Sequence, residues 1–369
     1  MMRVILSGGG TGGHIYPAVS VAEALKRKYG SDVEILFVGA EGKMEMEKIP
    51  ALGYAIKGLP VAGLQRKFTP KNLLLPFKVA ESVRRAKRII REFKADIVVG
   101  FGGYASAPVL WAAQRLGVPT IIQEQNSYAG LTNKLLSKRA RRICVAYDGM
   151  ERFFPKERIV MTGNPLRGRF TADAGNRAEA LSHYGLNDTL PVVLVVGGSL
   201  GTRTLNEMMK AWILTLNGEA PVQVIWQTGK FYEREMQEFL KAHPTKNIWQ
   251  GAFIERMDYA YATADVVISR SGACTVSELC LVAKPTIFVP SPNVAEDHQT
   301  KNAQALVERG AAEMVRDSEA VARGMAEAVA LTGDAERLER LSANIATLAI
   351  SDAADRVVAE IEKELNKTL

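Results

Sequence analysis

Short apolar runs rich in β-branched residues alternate along the chain with longer stretches in which apolar residues recur at helical spacing. The runs at residues 4–6, 34–38, 97–100, 120–123 and 143–146 predict strands, and the stretches between most of them predict helices. Such alternation marks βαβ units and a parallel sheet. The rhythm then restarts, with residues 192–196, 222–226, 266–269 and 286–289 as a second set of strands, so the chain reads as two halves of one architecture. Between the halves, Thr162-Gly163-Asn164-Pro165-Leu166 gathers turn-forming residues and is the candidate hinge. Residues 171–187 read as polar and helical. Residues 352–369 place Ala354, Val357, Val358, Ile361 and Leu365 on one helical face, which predicts an amphipathic terminal helix.

A length of 369 residues exceeds the usual single domain and supports two, each large enough for its own core. With 47% hydrophobic and 24% charged residues, the composition is that of a globular protein rather than a disordered one. The apolar runs are far shorter than the roughly 20 residues of a membrane-spanning helix. The N-terminus passes straight into a glycine turn, leaving no room for a secretory signal series. Cys144, Cys274 and Cys280 are widely spaced and form no C-x-x-C pair, so neither a disulfide framework nor a zinc site is suggested. A reducing cytoplasm is the expected compartment.

The net charge of +7 changes this picture by asking for a polyanionic partner. Much of the excess lies in residues 66–94, where ten Lys and Arg face only Glu81 and Glu92. The basic residues are interleaved with Leu73, Leu74, Leu75, Phe77, Val79, Val83, Ile89 and Ile90. Two readings stand: a buried helix with a cationic outer face, or a patch whose Leu and Phe meet lipid tails while Lys and Arg meet anionic headgroups. Nucleic acid is disfavoured because stacking aromatics are sparse in the segment.

The candidate chemistry sits at the carboxyl ends of strands. After the first strand comes Ser7-Gly8-Gly9-Gly10-Thr11-Gly12-Gly13-His14, whose glycines would let backbone N–H groups and a helix N-terminus approach a diphosphate. Gly8, Gly10 and Gly13 formally satisfy G-x-G-x-x-G, which raises an NAD-dependent oxidoreductase as a competitor. The ribose-binding acid that such an enzyme needs would have to be Glu41, which lies too far along. His14 opens a helix and reads either as a capping or packing residue or as a base for a hydroxyl proton.

The second half opens alike, with Gly197-Gly198-Ser199-Leu200-Gly201-Thr202-Arg203, where the Ser199 hydroxyl could join the phosphate donors. Phe101-Gly102-Gly103-Tyr104-Ala105-Ser106-Ala107-Pro108 reads as a third such turn. In Ser269-Arg270-Ser271-Gly272-Ala273-Cys274-Thr275-Val276-Ser277-Glu278, Thr275 and Glu278 fit a helix capping box, while Glu278 equally suits ribose hydroxyls. Glu296-Asp297-His298-Gln299-Thr300-Lys301-Asn302 reads as a solvated loop before a helix at residues 303–309. There is no G-x-x-x-x-G-K-[ST], no H-E-x-x-H and no Asp-x-Asp, so helix dipoles and basic side chains would have to neutralise a leaving diphosphate. A non-enzymatic membrane-surface protein would leave these paired glycine turns unexplained.

Taken in order, Gly9-Gly10-Thr11-Gly12-Gly13-His14, Gly102-Gly103-Tyr104, Glu124-Gln125-Asn126, Gly163-Asn164-Pro165-Leu166-Arg167, Gly197-Gly198-Ser199 and Ser271 to Glu278 closely resemble the MurG family of bacterial N-acetylglucosaminyltransferases. The resemblance implies an α/β GT-B fold: two Rossmann-like parallel-sheet domains facing across a cleft. They would comprise residues 1–163 on the acceptor and membrane side and 164–351 on the donor side, with helix 352–369 packing back on the first. It implies an inverting transfer of GlcNAc from UDP-GlcNAc to the 4-hydroxyl of MurNAc in undecaprenyl-linked lipid I, giving lipid II for the cell wall. No cofactor or bound metal is implied, and the expected place is the cytoplasmic face of the cell membrane.

By the same pattern Ile254 would meet uracil, Glu278 the ribose, and Ser199 with Arg167 the diphosphate. The run Ala273, Cys274, Thr275, Val276 and Ser277 belongs to the same donor motif. Thr11, Gly12, Gly13, Asn126 and Gln299 match positions around the sugar, Tyr104 and Glu124 match the acceptor side, and His14 matches a proposed base or acceptor-diphosphate contact. Leu74, Leu75, Phe77 and Lys78 would meet the anionic membrane. Two departures stand out. Gln123 replaces a histidine of some relatives, and His298 precedes Gln299 where others pair glutamines, which leaves the role of His298 open.

Overall fold

The β-branched runs become the strands of two all-parallel sheets in the computed structural model, which describes residues 1–61, 75–166 and 176–367. The chain divides into Met1–Gly168 with Asp352–Leu369, and Arg169–Ser351. In the first unit the strands are β1 (Met2–Ser7), β2 (Val33–Ala40), β3 (Ala55–Leu59), β4 (Ile97–Gly100), β5 (Thr120–Glu124), β6 (Arg142–Val145) and β7 (Ile159–Met161). They lie in the order β3-β2-β1-β4-β5-β6-β7, so the chain reverses direction across the sheet between β1 and β4. That order is Rossmann-like, and its ligand position is the carboxyl end of the strands at the reversal.

Helices α1 (Gly12–Tyr29), α2 (Glu45–Ala51), α3 (Leu75–Phe93), α4 (Gly103–Leu116) and α5 (Leu131–Leu136) accompany these strands. β1 shows why both faces must be covered: Val4 and Leu6 join one core cluster with Ile15, Val19 and Leu25 of α1, while Ile5 joins another with Ile90 of α3 and Leu110 of α4. A parallel sheet buried on both faces carries apolar residues at successive positions, and β1 reads that way.

The second unit repeats the plan. Its strands are β8 (Val192–Val196), β9 (Glu219–Gln227), β10 (Lys246–Gly251), β11 (Val266–Ser269), β12 (Thr286–Phe288) and β13 (Glu313–Met314), in the order β10-β9-β8-β11-β12-β13. Its helices are α6 (Arg177–His183), α7 (Arg203–Ile213), α8 (Glu233–Ala242), α9 (Met257–Thr263), α10 (Ala273–Leu281), α11 (His298–Val307), α12 (Asp317–Thr332) and α13 (Ala335–Ala346). Here the reversal falls between β8 and β11. Of the polar helix expected over residues 171–187, α6 covers 177–183, residues 184–187 are not helical, and residues 171–175 lie outside the described part.

The terminal helix α14 (Ala353–Asn366) belongs to the first unit, where Val357, Val358 and Ile361 enter the core cluster of α1. Charge fixes its register. Asp355 pairs with Arg27 at 2.5 Å, and the buried Glu360 and Glu364 stand 3.4 and 3.1 Å from Arg142 of β6. Among the described residues no helix is long and apolar enough to cross a membrane.

Candidate active site

In the second unit, a cavity of about 640 Å³ opens at the carboxyl ends of β8 and β11. Its size lies within the range of small-ligand pockets. The wall is laid down by three sequence features. The turn after β8 contributes Gly197, Gly198, Ser199 and Gly201, with the N-terminus of α7 and the exposed Arg203 behind them. The turn after β11 contributes Arg270 and Gly272, and α10 contributes Thr275 and Glu278 one turn apart. Gln227, Phe253, Tyr261, Ser291 and Gln299 complete the lining.

Glu278 is the chemically distinctive group. The Tyr261 hydroxyl donates to its Oε2 at 3.2 Å, yet burial outweighs that bond and pushes the carboxyl up to about 7. The same surroundings raise the Tyr261 phenol well above its usual range and the Cys274 thiol to about 12, chiefly by burial with the Glu278 charge adding to it. Arg270, which also lines the cavity, is already committed, donating to the Val289 carbonyl at 2.7 Å and pairing with Asp317 at 2.6 Å.

The first unit has a different construction at its reversal. His14 Nδ1 lies 3.0 Å from the Gly9 carbonyl and 3.2 Å from Thr11 Oγ1. A carbonyl only accepts, so the Gly9 contact is a hydrogen bond when Nδ1 carries the ring proton, the tautomer in which Nε2 is the basic nitrogen of a neutral ring. The ring lies against Gly102 at the end of β4, where a Cβ would stand 3.1 Å from Nε2 and φ is +92°. Next to it, Glu124 is fully used: Oε1 accepts from Asn126 N–H at 3.1 Å and Nδ2 at 3.3 Å, and Oε2 from Gly130 N–H at 3.0 Å and Asn133 Nδ2 at 2.8 Å. Gln125 straps the end of β5 to the Phe101 carbonyl at 2.8 Å.

Two domain descriptions decide the family. The glycosyltransferase family 28 N-terminal domain matches residues 4–145, and the glycosyltransferase family 28 C-terminal domain matches residues 192–357. The chain belongs to glycosyltransferase family 28. A relative from Parabacteroides distasonis, named UDP-N-acetylglucosamine--N-acetylmuramyl-(pentapeptide) pyrophosphoryl-undecaprenol N-acetylglucosamine transferase, is 54% identical over 99% of both chains. One of the same name from Bacteroides fragilis is 53% identical over 98% of this chain and 95% of its own. Among solved structures, MurG of Acinetobacter baumannii superposes with a TM-score of 0.78 at 29% identity, covering 98% of this chain and all of that one.

Within this family-28 framework, the cavity brings together Ser199, Thr275, Glu278 and Gln299 of the residues singled out in the sequence. Ile254 is buried beside it, and its N–H donates to Gln227 Oε1 at 3.1 Å. Ala273 and Val276 are buried, and the Ser277 hydroxyl turns back to the Ala273 carbonyl at 3.0 Å. His14, Thr11, Gly12, Gly13, Tyr104, Glu124 and Asn126 are all in the first unit. Arg167 and Leu74 lie outside the described residues, as do the side chains of Leu75 and Phe77, and Lys78 is exposed on α3.

Three local expectations are corrected. Thr275 does not cap α10: the cap position is Gly272, Thr275 sits inside the first turn, and Glu278 turns to Tyr261 instead. Residues 298–302 are not a loop but the start of α11, which begins after Glu296 and Asp297 adopt left-handed φ of 55° and 53°. Gln299 thereby reaches the Ser291 N–H at 2.8 Å. The third glycine turn is shorter than residues 101–108, because α4 starts at Gly103 and takes Pro108 into its interior. Gln227 and Tyr261 escaped the sequence reading, since each lies in a run that looks like plain strand or plain helix.

Proposed function

We propose that this chain transfers GlcNAc from UDP-GlcNAc to undecaprenyl-linked lipid I, yielding lipid II for peptidoglycan. The observation that carries the reading is the cavity that unites Ser199, Thr275, Glu278 and Gln299 in a chain with a 54% identical relative of that named activity. In this assignment Glu278 accepts the ribose hydroxyls, the region of Ile254 receives uracil, and Ser199 with the N-terminus of α7 receives the diphosphate. Arg203 adds positive charge at the cavity wall, and Arg167 is assigned to the same diphosphate. Gln299 and the Ala273 to Ser277 turn are assigned to the donor side, and Thr11, Gly12, Gly13 and Asn126 to the transferred sugar.

For the chemical step, His14 Nε2 removes the proton of the acceptor 4-hydroxyl. The oxygen attacks the anomeric carbon opposite the UDP, the bond from that carbon to the phosphate oxygen breaks, and UDP leaves with the electron pair. Attack from the opposite face inverts the α-linked donor to a β-linked product. Backbone dipoles and basic side chains stabilise the departing diphosphate, so no metal is required in this scheme. The test is the linkage and its metal dependence: a β-(1→4) disaccharide formed at undiminished rate with EDTA is expected, whereas an α linkage or loss of rate with EDTA would overturn these details.

The acceptor's lipid calls for a membrane-facing surface on the cytoplasmic side, and α3 offers one. Ser82, Ala86, Ile89 and Ile90 bury its inner face, while Lys78, Arg84, Arg88 and Arg91 line the outer. The neighbouring α4 exposes Trp111, with Lys87 and Arg115 cations 5.6 and 4.9 Å from its ring, and α5 exposes Leu131 and Leu135 one turn apart. Cations near an anionic surface contribute about 1 kcal/mol each at moderate salt. Cosedimentation with phosphatidylglycerol vesicles is expected to weaken as salt rises and to fall after joint replacement of Leu75, Phe77 and Lys78. Unchanged sedimentation would remove this segment from the interface.

A further inference from the structure

We infer that Glu45 is the positioning residue that fixes the ring and tautomer of His14, acting through the peptide that joins Gly9 to Gly10. The inference rests on His14 being the group that takes the acceptor proton. Glu45 opens α2 and is 1% exposed, an unusual place for a carboxylate. Its Oε1 accepts from the Ala40 N–H at 3.0 Å and its Oε2 from the Gly10 N–H at 3.1 Å. The main chain is shaped around it. A Cβ on Gly9 would lie 2.1 Å from Oε1, and one on Gly39 would lie 2.6 Å from Cγ, so glycine at both positions makes room for this one side chain.

The link to His14 follows from peptide planarity. The Gly9 carbonyl and the Gly10 N–H belong to one trans peptide, so they point in opposite directions from one rigid plane. Holding the N–H on Glu45 therefore aims the carbonyl away from it, and that carbonyl takes His14 Nδ1 at 3.0 Å. Gly103 presses on the same oxygen from another side: a Cβ there would lie 2.3 Å from it. Gly10 has φ +83°, a conformation with other peptide orientations close by for glycine, and Glu45 selects one of them. The same bond takes the Gly10 N–H out of the set of backbone donors that the first glycine turn could offer a diphosphate, because it already donates to Glu45.

Glu45→Gln preserves the shape but offers one acceptor oxygen for two N–H groups, leaving the other N–H facing an amide NH₂. The test uses ring-nitrogen NMR of the full chain labelled with ¹⁵N-histidine, which has only four histidines to resolve, with His14→Ala to assign the signal. In the native protein His14 is expected as the Nδ1–H tautomer; finding it as Nε2–H overturns the inference without any Glu45 variant. In Glu45→Gln the tautomers are expected to mix, with kcat lower by about tenfold to a hundredfold and the KM for UDP-GlcNAc unchanged, as for outer-shell partners elsewhere. A folded Glu45→Gln protein with native tautomer refutes the inference whatever its rate. Should His14→Ala retain native turnover, the base assignment fails while the tautomer result still reports on Glu45.

Discussion

Glu278→Gln is expected to weaken UDP binding about tenfold or more at pH 8 and to remove the part of its pH dependence that Glu278 contributes. In the native protein burial holds the Glu278 carboxyl at about 7, so below that value the group is protonated before the nucleotide arrives. Ribose hydroxyls donate to the ionised form, and binding must then release a proton. Affinity should fall roughly tenfold per pH unit below about 7, since one proton is linked to binding. A hydrogen bond to a charged group is worth about 1.5–3 kcal/mol, which sets the size of the loss in the variant.

The same substitution should stabilise the unliganded protein. The folded-state value lies above the ordinary 4.5, so the unfolded chain gives up this proton first. Stability is therefore lost as pH rises from about 4.5 to about 7, to a limit of about 3 kcal/mol. Glutamine removes that cost, and the melting temperature at pH 8 should rise by several degrees. Calorimetric titration with UDP and thermal melts across pH check both halves. A variant that binds UDP as the native protein does would take Glu278 out of the donor site.

His14→Ala is expected to lower kcat by about a hundredfold to ten-thousandfold, the range for loss of a positioned general base. The KM for UDP-GlcNAc should stay within about twofold, because the nucleotide and diphosphate of the donor are assigned to the cavity around Ser199 and Glu278, and the transferred sugar to Thr11, Gly12, Gly13 and Asn126 rather than to His14. Initial rates with saturating lipid I analogue separate the two constants. Near-native turnover at saturating acceptor would leave His14 as an acceptor contact and end its assignment as base. Glu124 is a weaker candidate for the base, because its four hydrogen-bond positions are filled by Asn126, Gly130 and Asn133.

The sequence carried the inner part of each sheet and missed the rims. β1, β2, β4, β5 and β6, and β8, β9, β11 and β12, are the apolar runs, because a parallel strand flanked and covered on both faces must be apolar at successive positions. The strands that escaped are β3, β7, β10 and β13, which are the four sheet edges and carry largely half-buried or exposed residues. Glycine turns were legible for a related reason, since few side chains can occupy such close approaches.

What remained hidden was long-range. The partnership of Glu278 with Tyr261 and of Glu45 with Gly10 joins residues 17 and 35 positions apart, and neither pairing has a local signature. The capping-box reading of Thr275 failed because the chain had already entered α10 at Ala273, where Gly272 in an extended conformation served as the cap. Gln299 lies in α11 rather than in a loop because left-handed Glu296 and Asp297 start that helix earlier than the apolar periodicity does.

The central claim is best tested by incubating the purified chain with radiolabelled UDP-GlcNAc and a lipid I analogue, with UDP-GalNAc and omission of acceptor as controls. The account predicts label in a product extended by one N-acetylhexosamine, formed only with acceptor present and with release of one UDP per sugar. No labelled lipid product from UDP-GlcNAc, with the protein folded and binding UDP, would contradict it.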